Sequence, residues 1–173
     1  MANIKNLEMG VASITFNGID IGHTLGGAKG TITRKMVAIK ADKYGDTAVD
    51  QVLTEVGMKL EMKVAEPVIA NIRLALPESD YQIGATGSRL GIGAGEGQSM
   101  RALAGLVVLH PIKNAASDQS EDITMYLGVS SSSPVLNYEV ANQRVFDLSF
   151  EALVSEAYVP GRRLGHVGPT NIS

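Results

Sequence analysis

A mainly β domain with one α-helix is the fold class this sequence predicts, and three observations carry the prediction. Asn17-Gly18 separates two short apolar–polar alternations, Val52 to Val64 keeps period two over a long stretch, and Phe146, Leu148, Phe150 and Ala152 alternate with polar residues near the end. The 173 residues, 45% of them hydrophobic, suit one globular domain whose core needs neither disulfide nor structural metal.

Taken in order, Ala12 to Ile21 reads as a hairpin, because Asn-Gly supplies the positive φ angles of a two-residue turn. Gly22 to Gly30 reads as a glycine-rich connection. Thr31 to Lys40 reads as a strand with a bulge where Val37 and Ile39 change its phase. The polar, turn-rich segment Ala41 to Asp50 lies between strands and should project from the sheet. From Val52 the even positions Val52, Thr54, Val56, Met58, Leu60, Met62 and Val64 form one expected inner face, with Gly57 marking a bend or bulge. The helix follows: Pro67 is pre-set for its first position, Glu66 suits the positive helix end, Val68, Ile69, Ile72 and Leu76 form a stripe, and Pro77 stops it.

Glu78-Ser79-Asp80 reads as a polar exit and Gly84 to Gly97 as a second glycine-rich loop. Leu103 to Leu109 and Ile123 to Val129 read as paired strands joined by the acidic loop Asn114 to Asp122, and Ser130 to Pro134 as a surface turn. Val145 to Val154 is the cleanest alternating strand. Residues 1–10 and 160–173 have too little apolar surface to order alone and read as arms that fold on a partner.

Composition narrows the function. Fifteen basic against eighteen acidic residues leave a net charge of −3, without the basic excess that tight nucleic-acid binding needs. The absence of cysteine removes thiolate metal sites and cysteine nucleophiles. The start of the chain has no apolar stretch behind a basic segment, and the run Ala102 to Leu109 is too short to span a bilayer, so a soluble, unsecreted protein is expected.

Chemical motifs are weak. Gly91 to Gly97 carries the letters of a dinucleotide-binding turn, but Met100 to Leu109 reads as a strand where that motif requires a helix. His23, His110 and His166 are isolated, so only tertiary contact would assemble a metal site from them. Ser130 to Ser133 lacks the glycines of a nucleophile elbow, and Glu78/Asp80 and Glu121/Asp122 sit in polar loops that solvate carboxylates. No catalytic residue, cofactor or metal is expected, and Arg162-Arg163 is expected to meet a carboxylate or another subunit.

A resemblance adds to this reading. The order Gly18-Ile19-Asp20-Ile21-Gly22-His23-Thr24, Gly26-Gly27, then Ile39 to Asp50 and Val56-Gly57, resembles the major tail tube proteins of tailed bacteriophages. Phe146 to Leu153 followed by Gly161 to Gly168 is similar to the last strand and C-terminal arm of the same group, so the likeness runs from about Gly10 to Gly168. It implies a β-sandwich or barrel-like tail tube fold with one flanking helix, whose inner sheet contributes to a ring-wide β-barrel. It also implies a structural virion protein that is no enzyme. Subunits would form stacked hexameric rings, assembled in the host cytoplasm, with tape-measure, tail terminator and distal tail proteins as partners and DNA passing through unbound.

On the same resemblance, Asp42, Lys43, Tyr44, Asp46 and Asp50 of the projecting loop 41–50 would contact the next subunit or ring, and Arg162 and Arg163 would act in the C-terminal arm. Glu55, Glu61, Asp147 and Glu151 are candidates for a lumen lining that repels phosphate, with Lys59 and Lys63 departing from a purely acidic face. Two alternatives stand beside this reading. One is the inner tube of a contractile tail or injection device, and the other is a monomeric β-barrel binding module or small hydrolase with a deep polar pocket.

Overall fold

The computed structural model describes residues 10–93, 95–139 and 143–170. The expected N-terminal arm therefore lies outside the described residues except for Gly10, as do the last three residues of the C-terminal arm. The chain is mainly β. Its strands are β1 (Ala12–Phe16), β2 (Ile19–Asp20), β3 (Thr24–Lys40), β4 (Ala48–Val64), β5 (Asp80–Gly84), β6 (Gly87–Gly91), β7 (Gly105–Pro111), β8 (Ile123–Ser130), β9 (Phe146–Ala152) and β10 (Gly165–Val167). Helix α1 (Ile69–Ala75) follows β4, and β5 with β6 forms a separate hairpin.

The large antiparallel sheet runs β2-β1-β7-β8-β9-β4-β3, with β10 added to β8. β8 is divided between partners: Ile123 to Met125 pairs with β10, and Gly128 to Ser130 pairs with β9. The sheet curls back on itself. In a flat sheet β1 and β9 would lie about 14 Å apart, three strand spacings of about 4.8 Å, yet the rings of Phe16 and Phe150 stack with centroids 5.4 Å apart. Across the same fold, Gly30 of β3 lies against the Ile123 side chain of β8, so close that a Cβ would stand 3.2 Å from its Cδ1.

The core fills this curl. Met58, Leu60, Met62 and Val64 of β4, Phe146, Leu148 and Phe150 of β9, and Ile14, Val107, Leu109 and Met125 are buried together, with Ile72 and Ala75 of α1 closing one side. The expected inner face of β9 holds, with Ala152 packed at its margin. The Asn17-Gly18 turn also forms, with φ of 50° and 79°. Asn17 further accepts the Leu106 N–H at 2.8 Å, tying the hairpin to the start of β7.

Several expectations are corrected. Gly22 to Gly30 is largely strand: β3 begins at Thr24, and Gly26 and Gly27, at φ of 79° and 81°, carry the irregular register before Ala28. Gly57 makes no bulge. It pairs directly with Thr33, and its missing Cβ makes room for the Thr33 hydroxyl, which would lie 2.6 Å from such an atom. The helix begins at Ile69 rather than Pro67: the backbone is still extended at Val68, and Glu66 lies outside the helix, its carboxylate accepting the His23 N–H at 3.1 Å. Asn71 of α1 is buried and donates to the carbonyls of Ile21 and Glu66, which anchors the helix to the hairpin.

The segment expected as a polar exit and glycine loop contains the β5–β6 hairpin, closed by Arg89 donating to Gln82. The serine run is more than a turn. Ser130 donates to the Ala75 carbonyl at 2.9 Å, and Ser131 and Ser149 share a hydroxyl contact at 3.0 Å, so the run stitches α1 to β9.

β10 is positioned by a close approach. Gly165 packs against the Thr124 carbonyl so tightly that no Cβ fits without backbone movement. Gly165→Ala is expected to lower stability by about 1–3 kcal/mol, the usual range for forced overpacking. Equilibrium denaturation checks this, and an unchanged midpoint would mean that the strand is not docked as described.

Candidate assembly interface

Beyond Gly57 the β3–β4 pair leaves the body. Residues 32–40 and 48–56 are exposed throughout on both faces, although they remain paired from Ile32↔Met58 to Lys40↔Ala48 with register shifts after Lys35 and Ile39. Nine residues per strand extend about 27 Å at about 3.4 Å per residue. An isolated two-stranded ribbon is marginal in water because neither face is covered. This one nevertheless displays large apolar side chains, with Ile32 62%, Met36 52%, Leu53 51% and Val56 44% exposed.

A bulge sorts the two faces. Between Lys35↔Glu55 and Met36↔Leu53, β4 carries the extra residue Thr54, whose hydroxyl donates to the Lys35 carbonyl at 3.1 Å. The phase of β4 reverses there. Leu53, rather than Val52, continues the face of Val56 and Met58, which corrects the single even-numbered face expected from sequence. Ile32, Met36, Leu53 and Val56 thus extend the apolar face of the core into solvent, with Arg34 standing among them opposite Val56, while Val37, Ile39 and Val52 lie on the reverse.

Below the bulge, the reverse face is charged. Four cross-strand pairs stand side by side on it: Lys35↔Glu55, Lys29↔Glu61, Lys59↔Glu151 and Lys63↔Asp147. All four acidic lining candidates therefore share one face of β3, β4 and β9, but each opposes a lysine. The expected acidic surface is charge-balanced. Lys59 Nζ lies 3.0 Å from Glu61 and 4.0 Å from Glu151. Its hydrogen bond to Glu61 holds Lys59 above the ordinary lysine range and holds Glu61 below the usual carboxylate range. A groove of about 720 Å³ with mixed polar and apolar walls crosses this face beside Ser131 to Ser133.

The tip is a short 3-10 turn, Asp42–Tyr44, ended by Gly45 at φ 61°. Asp46 accepts from Lys40 at 2.9 Å, and Lys43 lies 5.7 Å from the ring of Tyr44. Asp50 is not in the loop: β4 starts at Ala48, and Asp50 pairs with Ile39 while its carboxylate accepts the Gln51 N–H. Asp42, Lys43, Tyr44 and Asp46 cluster at the tip, whereas Glu55, Glu61, Asp147 and Glu151 lie lower on the charged face and Arg162 and Arg163 beside the foot of the ribbon.

At that foot, Ile32, Val56 and Met58 face Leu164, Gly165, His166 and Val167 of the arm across a mostly apolar cavity of about 420 Å³. His166 fastens the arm. Its Nδ1 lies 2.9 Å from the Tyr126 hydroxyl, its Nε2 is buried without a partner among the described residues, and Tyr126 stacks on Tyr158. Nearby, His110 Nδ1 meets the buried Asp122 carboxylate at 2.7 Å, and the Asp122 carbonyl accepts the Gly168 N–H at 2.8 Å.

Sequence reasoning set His166 aside because it stands alone along the chain. Its alternation with Leu164 and the glycines around it was the available signal of a short strand. No group of three or more metal-ligating side chains gathers among the described residues. Comparison with protein-family models gives no match, and comparison with curated proteins gives none.

Burial, followed by the positive Arg162, lowers the His166 pKa below its ordinary value, while Asp122 opposes the shift. The unfolded chain therefore binds the His166 proton at a higher pH than the folded one does. Stability from this site is complete above the ordinary histidine pKa of about 6.5 and is lost as pH falls below it toward the depressed folded value. From pH 7.5 to pH 5, the thermal midpoint of the native chain should fall further than that of His166→Phe. Equal falls would remove His166 as the sensitive group.

Proposed function

We propose that this chain is a structural subunit that assembles with copies of itself into stacked rings forming a hollow tube, as in the tail tube of a tailed bacteriophage. The single observation that carries the reading is the ribbon. A nine-residue-per-strand projection, exposed on both faces and carrying the core's apolar stripe outward, has no second layer among the described residues, and a neighbouring molecule would supply one. The outer edge of β3, unpaired along the sheet, offers backbone donors and acceptors to a neighbouring strand, and ring closure removes such edges. The resemblance of Gly18 to Gly57 and Phe146 to Gly168 to the tail tube group supports the same assembly.

In this reading, the apolar side of the sheet carries the subunit contacts and the charged side lines the bore. There, a lysine-bearing wall avoids trapping DNA because each ammonium stands opposite a carboxylate. Phosphate then meets no net positive field beyond a Debye length of about 8 Å, and no excess of counterions is released to hold it. Tape-measure and terminator proteins belong to the same proposal. The chain performs no catalysis in it.

Negative-stain microscopy with light scattering over a concentration series tests the assembly. The native chain is expected to give rings or hollow tubes. Met36→Lys with Leu53→Lys is expected to raise the assembly threshold at least tenfold while the circular dichroism stays β-rich, because both side chains already face water in the monomer. A compact monomer at every concentration would refute the proposal.

A further inference from the structure

We infer that the cavity at the foot of the ribbon is the receptor for the ribbon tip of another copy, with Tyr44 as the inserted side chain and Asp42 paired to Arg163. This rests on the assembly reading above and names the donor and the acceptor within it. The cavity is bounded by two elements that do not touch in sequence: Ile32, Val56 and Met58 on the ribbon, and Leu164 and Val167 on the arm. Its volume of about 420 Å³ lies within the range of sites that enclose small organic groups, ample for a phenol ring.

The tip has the complementary chemistry. Tyr44 is 54% exposed, an amphipathic ring held out on a 3-10 turn, and rings of this kind act as anchors in protein interfaces. The Asp42 carboxylate makes no hydrogen bond or ion pair among the described residues, and neither does the guanidinium of Arg163 on the cavity wall or that of its neighbour Arg162. Asp46, by contrast, is already bonded to Lys40. One free carboxylate on the tip thus matches free cations beside the cavity.

The occupant must be a second molecule. Along the paired ribbon, the tip stands about 27 Å from its own foot, and pairing that continues from Ile32↔Met58 to Lys40↔Ala48 across two bulges holds the two apart. Tip into foot is a contact between different surfaces, so each molecule donates once and accepts once and the contact propagates head to tail. Closure of the arm over β8 through His166 and Tyr126 forms one wall of the receptor, so the site exists only while the arm is docked.

The absence of cysteine allows a clean test. Tyr44→Cys with Val167→Cys in one chain, assembled and oxidised, is expected to give a ladder of covalent multimers on a denaturing gel, whereas each single variant stops at dimers or below. In parallel, Asp42→Arg alone and Arg163→Asp alone should each raise the assembly threshold about tenfold, and the two together should restore it to near the native value. A tenfold change corresponds to about 1.4 kcal/mol, within the range of interfacial charge pairs. If tubes form but the double-cysteine chain yields no ladder and the charge exchange gives no rescue, this inference falls and the assembly reading stands. If the native chain forms no tubes, both fall.

Discussion

A two-stranded ribbon has no second layer, and the rest of this structure follows from how that constraint is met. Within the body, β4 is paired along one edge by β9 and covered on one face by the curled β1–β7–β8 portion, with α1 closing one side, and its even residues become core. Past Gly57 the same two strands continue with no covering element among the described residues. Backbone pairing between the two strands continues along the ribbon across two bulges, so the backbone groups that face each other are satisfied. Its side chains are not, and the apolar stripe from Ile32 to Leu53 is left for another surface.

The curl of the sheet makes the body stable enough to carry this projection. Phe16 on Phe150 and Gly30 on Ile123 are contacts between strands far apart in sheet order, and both need a small or flat group at the crossing. β8 serves both halves by dividing its length, and the arm strand β10 fills the edge left open beside its first residues. The foot of the ribbon and the end of the chain thereby come to share one cavity.

Charge follows the same geometry. Lysines and carboxylates that look scattered along the sequence meet in rungs across β3, β4 and β9, because antiparallel register sets residue 59 opposite 151 and 61 opposite 29. Such pairs are exposed and contribute little stability singly. Their consequence is a face without net charge, on which an acidic reading of Glu55, Glu61, Asp147 and Glu151 taken alone would have misjudged the field.

The mainly β class, the Asn17-Gly18 turn, the inner face of β9 and the projection near residue 44 were legible in the sequence, because period-two burial and turn chemistry are local properties. The sequence could not place the bulge at Thr54, since which strand takes an extra residue depends on the partner's register. It could not reveal β10 or the role of His166, because three residues acquire strand geometry only against β8. Nor could it show that half of β4 lies bare, since alternation records which face is apolar and never whether anything covers it. That was decided in three dimensions, where the covering strands run out at Gly57 and the ribbon continues.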